Sequence, residues 1–181
     1  KWVDLQPHTI REKTKIILEH FMEHTSKKMG GKSRGMVVTR SRLHCVKYKL
    51  EFDKQMKELG LPYRSLVGFS GKVFDKDTNT EYTESSMNGF PDNQTEENLK
   101  TPQFRILIVN NKFQTGFDEP LLHTMYVDKK LNGLQCVQTL SRLNRTTTGK
   151  TDTMVLDFVN DPSIIQESFQ PYYQGTILTE G

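Results

Sequence analysis

Apolar residues along this chain fall into two alternating patterns, stretches with helical spacing and short uninterrupted runs. Residues 9–28 place Ile10, Ile17, Leu18 and Phe21 at helical spacing, and Gly30-Gly31 ends the stretch. Met36-Val37-Val38 is an apolar run of the kind a buried strand needs. It leads into a second helical stretch, where Leu43, Val46 and Leu50 predict a shared buried face until Gly60 and Pro62 stop it. Tyr63 to Phe69 predicts the next strand. Arg105-Ile106-Leu107-Ile108-Val109 is the clearest buried strand, and Thr124–Val127 and Thr153–Val159 predict two more. Strands separated by helices imply an α/β fold with a mainly parallel sheet covered on both faces. Over 71–103 the pattern lapses into polar and acidic residues punctuated by Asn79, Asn88, Gly89, Pro91 and Asn93. That predicts an insertion with little strand of its own and a short helix near Thr95–Leu99.

A length of 181 residues suits one well-buried core and falls short of two ordinary domains. No internal repeat is visible. The two cysteines, Cys45 and Cys136, are far apart and make neither a zinc knuckle nor a redox pair, which fits a reducing cytoplasm. No apolar stretch approaches the roughly 18 residues of a membrane span. The chain opens on Lys1-Trp2-Val3-Asp4 without an initiator Met or apolar signal core, so it reads as a soluble piece of a longer protein.

Net charge is +3, but residues 1–70 hold 15 Lys+Arg against 7 Asp+Glu. A group including Lys27, Lys28, Lys32, Arg34, Arg40 and Arg42 suits phosphate contacts whose affinity falls with salt. For Lys27 and Lys28 the plain alternative is a solvated helix C-terminus.

Three short strings imitate known sites. Gly31-Lys32-Ser33 and Gly149-Lys150-Thr151 look like the end of a phosphate-binding loop, but the earlier glycine such a loop needs is Ser26 or Asn144. Each also precedes an expected strand, whereas a phosphate loop follows one and opens a helix. His20-Phe21-Met22-Glu23-His24 matches a zinc pattern, yet no third ligand presents itself.

Two segments carry more. If Gly133 to Asn144 is helical, Gln138, Arg142 and Arg145 share one side, and Cys136, Leu140 and Leu143 line the other. Two arginines aimed together need an anion or a carboxylate between them, and the guanidinium fork suits phosphate. Internal ion pairs to Asp118 or Asp157 are the plain alternative. The second segment, Asn110 to Pro120, puts polar groups and Gly116 beyond the expected strand 105–109, where α/β sheets gather ligands.

Gln114-Thr115-Gly116-Phe117-Asp118-Glu119-Pro120 and Gln138-Thr139-Leu140-Ser141-Arg142-Leu143-Asn144-Arg145 resemble motifs V and VI of superfamily 2 nucleic-acid motor ATPases. The T-G-F-D-x-P and S-R-x-N-R forms are those of the restriction (R, HsdR) subunit of type I restriction enzymes. The resemblance runs from Met36–Thr39 with Arg40-Ser41-Arg42 (motif IV-like), through Phe69-Ser70-Gly71, to Asp157-Phe158-Val159-Asn160. Asn111 departs from the superfamily, where Asp is common. Ser141 and Asn144 stand where glycines are usual, and point to the restriction branch.

The resemblance implies a RecA-like, three-layer lobe over 1–160, the second of two, with 161–181 beginning a following helical region or linker. It implies that Gly116, Asp118 and Gln138 border the nucleotide and that Arg142 and Arg145 act as arginine fingers. Thr39, Arg40, Ser70 and Asn111 would lie nearer the DNA backbone, and no metal ligand is implied on this chain. ATP and Mg2+ would be held mainly by a first lobe absent here, so this lobe alone would be inactive. The implied partners are double-stranded DNA, the first lobe and nuclease domain of the same polypeptide, and modification and specificity subunits, in a bacterial or archaeal cytoplasm. Two alternatives stay open. A repair-type superfamily 2 helicase would show a glycine-rich motif VI, and a non-catalytic DNA-binding module would need no converging arginines.

Overall fold

The computed structural model describes residues 7–113 and 117–169. Helix α1 (Pro7–His20) starts on a proline, whose fixed φ suits a first helical turn, and buries Ile10, Thr14, Ile17 and Leu18. It runs on through a π-helical turn, Phe21–Thr25, to a broken helical turn α2 (Lys28–Gly31). There Met29 (φ 51°) and Gly30 (φ 66°) turn left-handed and release the chain into β1 (Arg34–Thr39), all of whose residues are buried.

Helix α3 (Arg42–Glu58) begins where the Ser41 hydroxyl accepts the His44 N–H, an N-cap. Its inner face is Cys45, Val46, Tyr48, Lys49, Phe52 and Met56, while Leu50 is exposed and Leu43 half-buried. The expected face through Leu43, Val46 and Leu50 is therefore rotated. Lys49 turns inward because its Nζ donates to Asp53 Oδ1 at 3.0 Å and to the Ser65 carbonyl at 2.9 Å, and a count of apolar positions cannot see a satisfied lysine. Burial lowers the Lys49 pKa, and the charge of Asp53 opposes that fall.

Strand β2 (Arg64–Gly68) leads into an antiparallel hairpin, β3 (Lys72–Asp75) and β4 (Thr80–Thr83). This corrects the expectation of an insertion with little strand. Each strand is only four residues long and mostly polar, so periodicity gave no warning, although Asn79 at φ 50° is the left-handed turn residue a hairpin uses. Helix α4 (Glu84–Asn88) follows, opened by a capping box between Thr83 and Ser86. Helix α5 (Thr95–Leu99) lies where the sequence expected it.

Strands β5 (Phe104–Val109) and β6 (Leu122–Asp128) precede helix α6 (Gly133–Leu140), which tightens into a 3-10 turn, Ser141–Asn144. Strand β7 (Met154–Asp157) and a helix α7 over 162–169 complete the described chain. The five main strands form one parallel sheet in the order β2-β5-β1-β6-β7. Alternate residues serve opposite faces. Val37, Val67, Ile106, Ile108 and Tyr126 pack under α1 and α3. Met36, Val38, Leu107, Val109, Met125 and Val127 pack against Phe117, Cys136, Leu140 and Leu143. Asn88 covers the β2 edge: its Oδ1 accepts the Val67 N–H and its Nδ2 donates to the Val67 carbonyl, both at 2.9 Å.

Candidate functional site

Parallel strands gather their C-terminal ends at one side of the sheet, and Thr39, Arg40, Ser70 and Asn111 all stand there, after β1, β2 and β5. Ser70 and Asn111 are exposed. Asn111 takes a left-handed conformation (φ 61°), and its Oδ1 accepts from Lys129 Nζ at 2.7 Å. Thr39 is buried, its hydroxyl donating to the Val109 carbonyl at 2.9 Å. Arg40 leans on Asp128, Nη2 to Oδ1 at 3.0 Å. Arg42 reaches across to the Ser70 carbonyl at 3.2 Å and ties two of these loops together.

Beneath them lies a carboxylate that pattern reading missed. Glu84, fully buried, accepts the Phe69 N–H, the Thr95 hydroxyl and Lys112 Nζ. It joins the loops after β2 and β5 to the 71–103 segment. An isolated Glu in a polar stretch carries no sign of such a role.

The basic group expected in the first half does not form one patch. Lys27, Lys28 and Lys32 precede β1 and Arg40 and Arg42 follow it, so about 20 Å of six-residue strand separates them. Arg34 is buried, donating to the carbonyls of Leu99, Lys32 and Thr101. Burial and the nearby Arg105 lower its pKa to about 10. Arg105 is buried too, donating to the Ser33 and Ser26 carbonyls between the rings of Phe21 and Tyr63. Lys28 pairs with Asp152 at 3.2 Å.

The arginine segment sits elsewhere. From the end of β5 the chain must cross β1 and return to start a parallel β6. Phe117 packs against one face of the sheet, 5.3 Å ring to ring from Phe113, and the Leu121 carbonyl accepts the Arg34 N–H at the start of β1. Gly116 and the rest of 114–116 lie outside the described residues.

Helix α6 and its 3-10 turn pack Cys136, Leu140 and Leu143 inward, as the pattern predicts, and leave Gln138 exposed. The turn ends the helix before Arg145, which is extended (φ −74°, ψ 129°), so Arg142 and Arg145 are not held by one continuous helix. Both instead face the 117–120 segment. Arg142 Nη1 donates to the Phe117 carbonyl at 3.2 Å, and Arg145 Nε meets Asp118 Oδ1 at 3.2 Å. Thus the internal pair Arg145–Asp118, one of the two readings open from sequence, is present, with side chains 52% and 65% exposed.

The exposed Arg145 guanidinium, beside a half-buried Arg142, suits an anion presented from outside the chain. Among the described residues, no group of three or more His, Cys, Asp or Glu comes together to hold a metal ion. His20, of the zinc-like string, hydrogen bonds through Nδ1 to the Tyr126 hydroxyl at 2.8 Å. Among the described residues no helix is long and apolar enough to cross a membrane.

Solved structures with this fold are RecA-like helicase domains. The Mycobacterium smegmatis helicase Lhr, bound to ssDNA and AMP-PNP, aligns with a TM-score of 0.52 at 15% identity over 80% of this chain and 16% of its own. The C-terminal domain of S. cerevisiae Dbp5 aligns at 0.52 and 12% identity over 91% of this chain and 80% of that domain. A fragment of a type I restriction enzyme HsdR subunit from Vibrio vulnificus YJ016 aligns at 0.57 and 15% identity, over 92% of this chain and 29% of that one.

The fold class is thus that of a RecA-like lobe. Residues 70–160 match the family described as type I restriction enzyme subunit R domain 3, and the chain belongs to that family. Relatives agree. The MjaVIIP type I restriction enzyme endonuclease subunit of Methanocaldococcus jannaschii is 28% identical over 95% of this chain, which spans 17% of that protein. The SauCOLORF180P endonuclease subunit of Staphylococcus aureus strain COL is 35% identical over 47% of this chain and 10% of its own length.

Proposed function

We propose that this lobe is the second half of an ATP-dependent motor that moves double-stranded DNA within a type I restriction endonuclease. The observation that carries the proposal is the facing of Arg142, on the 3-10 turn, and Arg145, just after it, with the Phe117–Asp118 segment. ATP with Mg2+, held mainly by the first lobe, would supply the phosphoryl transfer that drives movement.

Within this lobe, Arg145 exchanges Asp118 for a phosphate oxygen when the lobes close, and its fork stabilises charge developing in the transition state. Arg142, leaning on the Phe117 carbonyl, orients the same segment. Asp118, once released, is free to accept from ribose hydroxyls, beside Gly116 and Gln138. At the other end of the sheet Arg40, Ser70 and Asn111 lie along the DNA backbone, and Thr39 shapes their loop from below. Contacts to phosphates without base readout suit tracking along any sequence. The first lobe, the nuclease domain and the modification and specificity subunits complete the assembly, and this lobe alone turns over no ATP.

The test is DNA-stimulated ATP hydrolysis by the full-length protein. Arg145→Ala lowers turnover by about 10³-fold or more with melting temperature unchanged, and Arg145→Lys restores little because a point charge does not reproduce the planar fork. Wild-type turnover per folded molecule in Arg145→Ala removes the arginine-finger reading.

A further inference from the structure

The string Gly149-Lys150-Thr151 fails as a phosphate loop, yet its lysine is engaged. Lys150 Nζ donates to the carbonyls of Arg145 at 2.7 Å, Leu143 at 2.8 Å and Pro120 at 3.1 Å. An ammonium has three protons, and here three carbonyl oxygens accept them. Two of these carbonyls belong to the 3-10 turn and to Arg145 just after it. The third lies two residues beyond Asp118 on the segment opposite. Its charge meets these carbonyl dipoles at the C-terminal end of a helical turn, where cations are favoured, and the charge of Glu119 acts on it as well.

We infer that Lys150 is a positioning residue that fixes the Arg145 backbone against the Phe117–Pro120 segment and so sets where the Arg145 guanidinium points. The inference rests on the proposed role of Arg145. Among the described residues no other hydrogen bond holds the Arg145 backbone: after the 3-10 turn it is extended, outside any helical hydrogen-bond ladder. The Asp118 contact holds only the side chain, and both partners are more than half exposed. Loss of the clamp leaves the arginine present but misaimed. A displacement of about 1 Å at a reacting centre can lower a rate on the order of 10²-fold.

The experiment uses the full-length protein in its assembled enzyme and reads kcat and KM for ATP in DNA-stimulated hydrolysis, beside the melting temperature. Lys150→Met lowers kcat by roughly 10²-fold at unchanged KM. Lys150→Gln, with a shorter donor, falls between, and Lys150→Arg, which can donate to the same carbonyls, recovers most of the rate. Added to Arg145→Ala, Lys150→Met slows turnover no further, because a residue acting through Arg145 has nothing left to act on. Wild-type kcat in Lys150→Met, or an equal loss in both backgrounds, overturns the inference while the arginine-finger reading stands. Wild-type turnover in Arg145→Ala overturns that reading instead. A purely packing role would lower the melting temperature and leave turnover per folded molecule unchanged.

Discussion

Asp128, at the last position of β6, is 1% exposed and takes Lys13 Nζ at 3.0 Å, Arg40 Nη2 at 3.0 Å and the Tyr48 hydroxyl at 2.7 Å. Burial pushes its pKa up, but the Tyr48 hydrogen bond and Lys13 outweigh that and hold it below the usual carboxylate range. A depressed carboxyl pKa stabilises the fold above the unfolded value, about 3.9, and that stability is lost as pH falls through the folded value. Asp128→Asn is expected to destabilise by about 1–3 kcal/mol at neutral pH, since Tyr48 keeps an acceptor but the cations lose theirs. Denaturant unfolding across a pH series should show the gap between wild type and variant closing below about pH 4. A gap that persists undiminished into acid would mean that packing, not charge, sustains it. At this scale the sequence was least informative. Arg40 does follow a strand, as its sequence context indicates, but a partner 88 residues away cannot be inferred from local pattern. For Arg142 the dry face through Leu140 and Leu143 does show which way its turn faces.

Among elements, the β2 edge shows a device that no periodicity announces. An edge strand presents unpaired N–H and C=O groups that invite another chain, and Asn88 on α4 answers both groups of Val67 as a neighbouring strand would. Asn88→Ala is expected to cost about 1–3 kcal/mol and to promote self-association, measured by denaturation and light scattering. Asn88→Asp should be at least as harmful, because a carboxylate oxygen would face the Val67 carbonyl. Long apolar strands such as β5 were plain in the sequence, since burial on both faces leaves an unbroken run. The hairpin β3–β4 was not, because its strands are short and it stands outside the main sheet. The same limit applied to α6. A helical period carried through Asn144 overlooks the 3-10 turn, whose tighter winding re-aims Arg145.

For the whole molecule, the division of basic residues between the two ends of the sheet changes what DNA binding should look like. If the C-terminal end carries the backbone contacts, Arg42→Ala weakens non-specific binding in a salt titration and Lys27→Ala does not, a contrast that a single basic patch would not produce. Affinity should fall steeply with salt and depend little on base sequence; equal effects of the two substitutions would place the contacts elsewhere. Only topology separates these residues. They lie within sixteen positions of one another in the chain, and a sequence window reads them as neighbours.

The exposed contact between Arg145 and Asp118 has an energetic corollary. Ion pairs open to water contribute about 0–1 kcal/mol, so a guanidinium held this way rests in a shallow well. Replacing a carboxylate by a phosphate then resembles ligand exchange between two oxygen anions, with little to be broken first. If Arg145 is the finger proposed above, it is parked more than half exposed, and its departure from Asp118 would leave the protein's stability almost untouched.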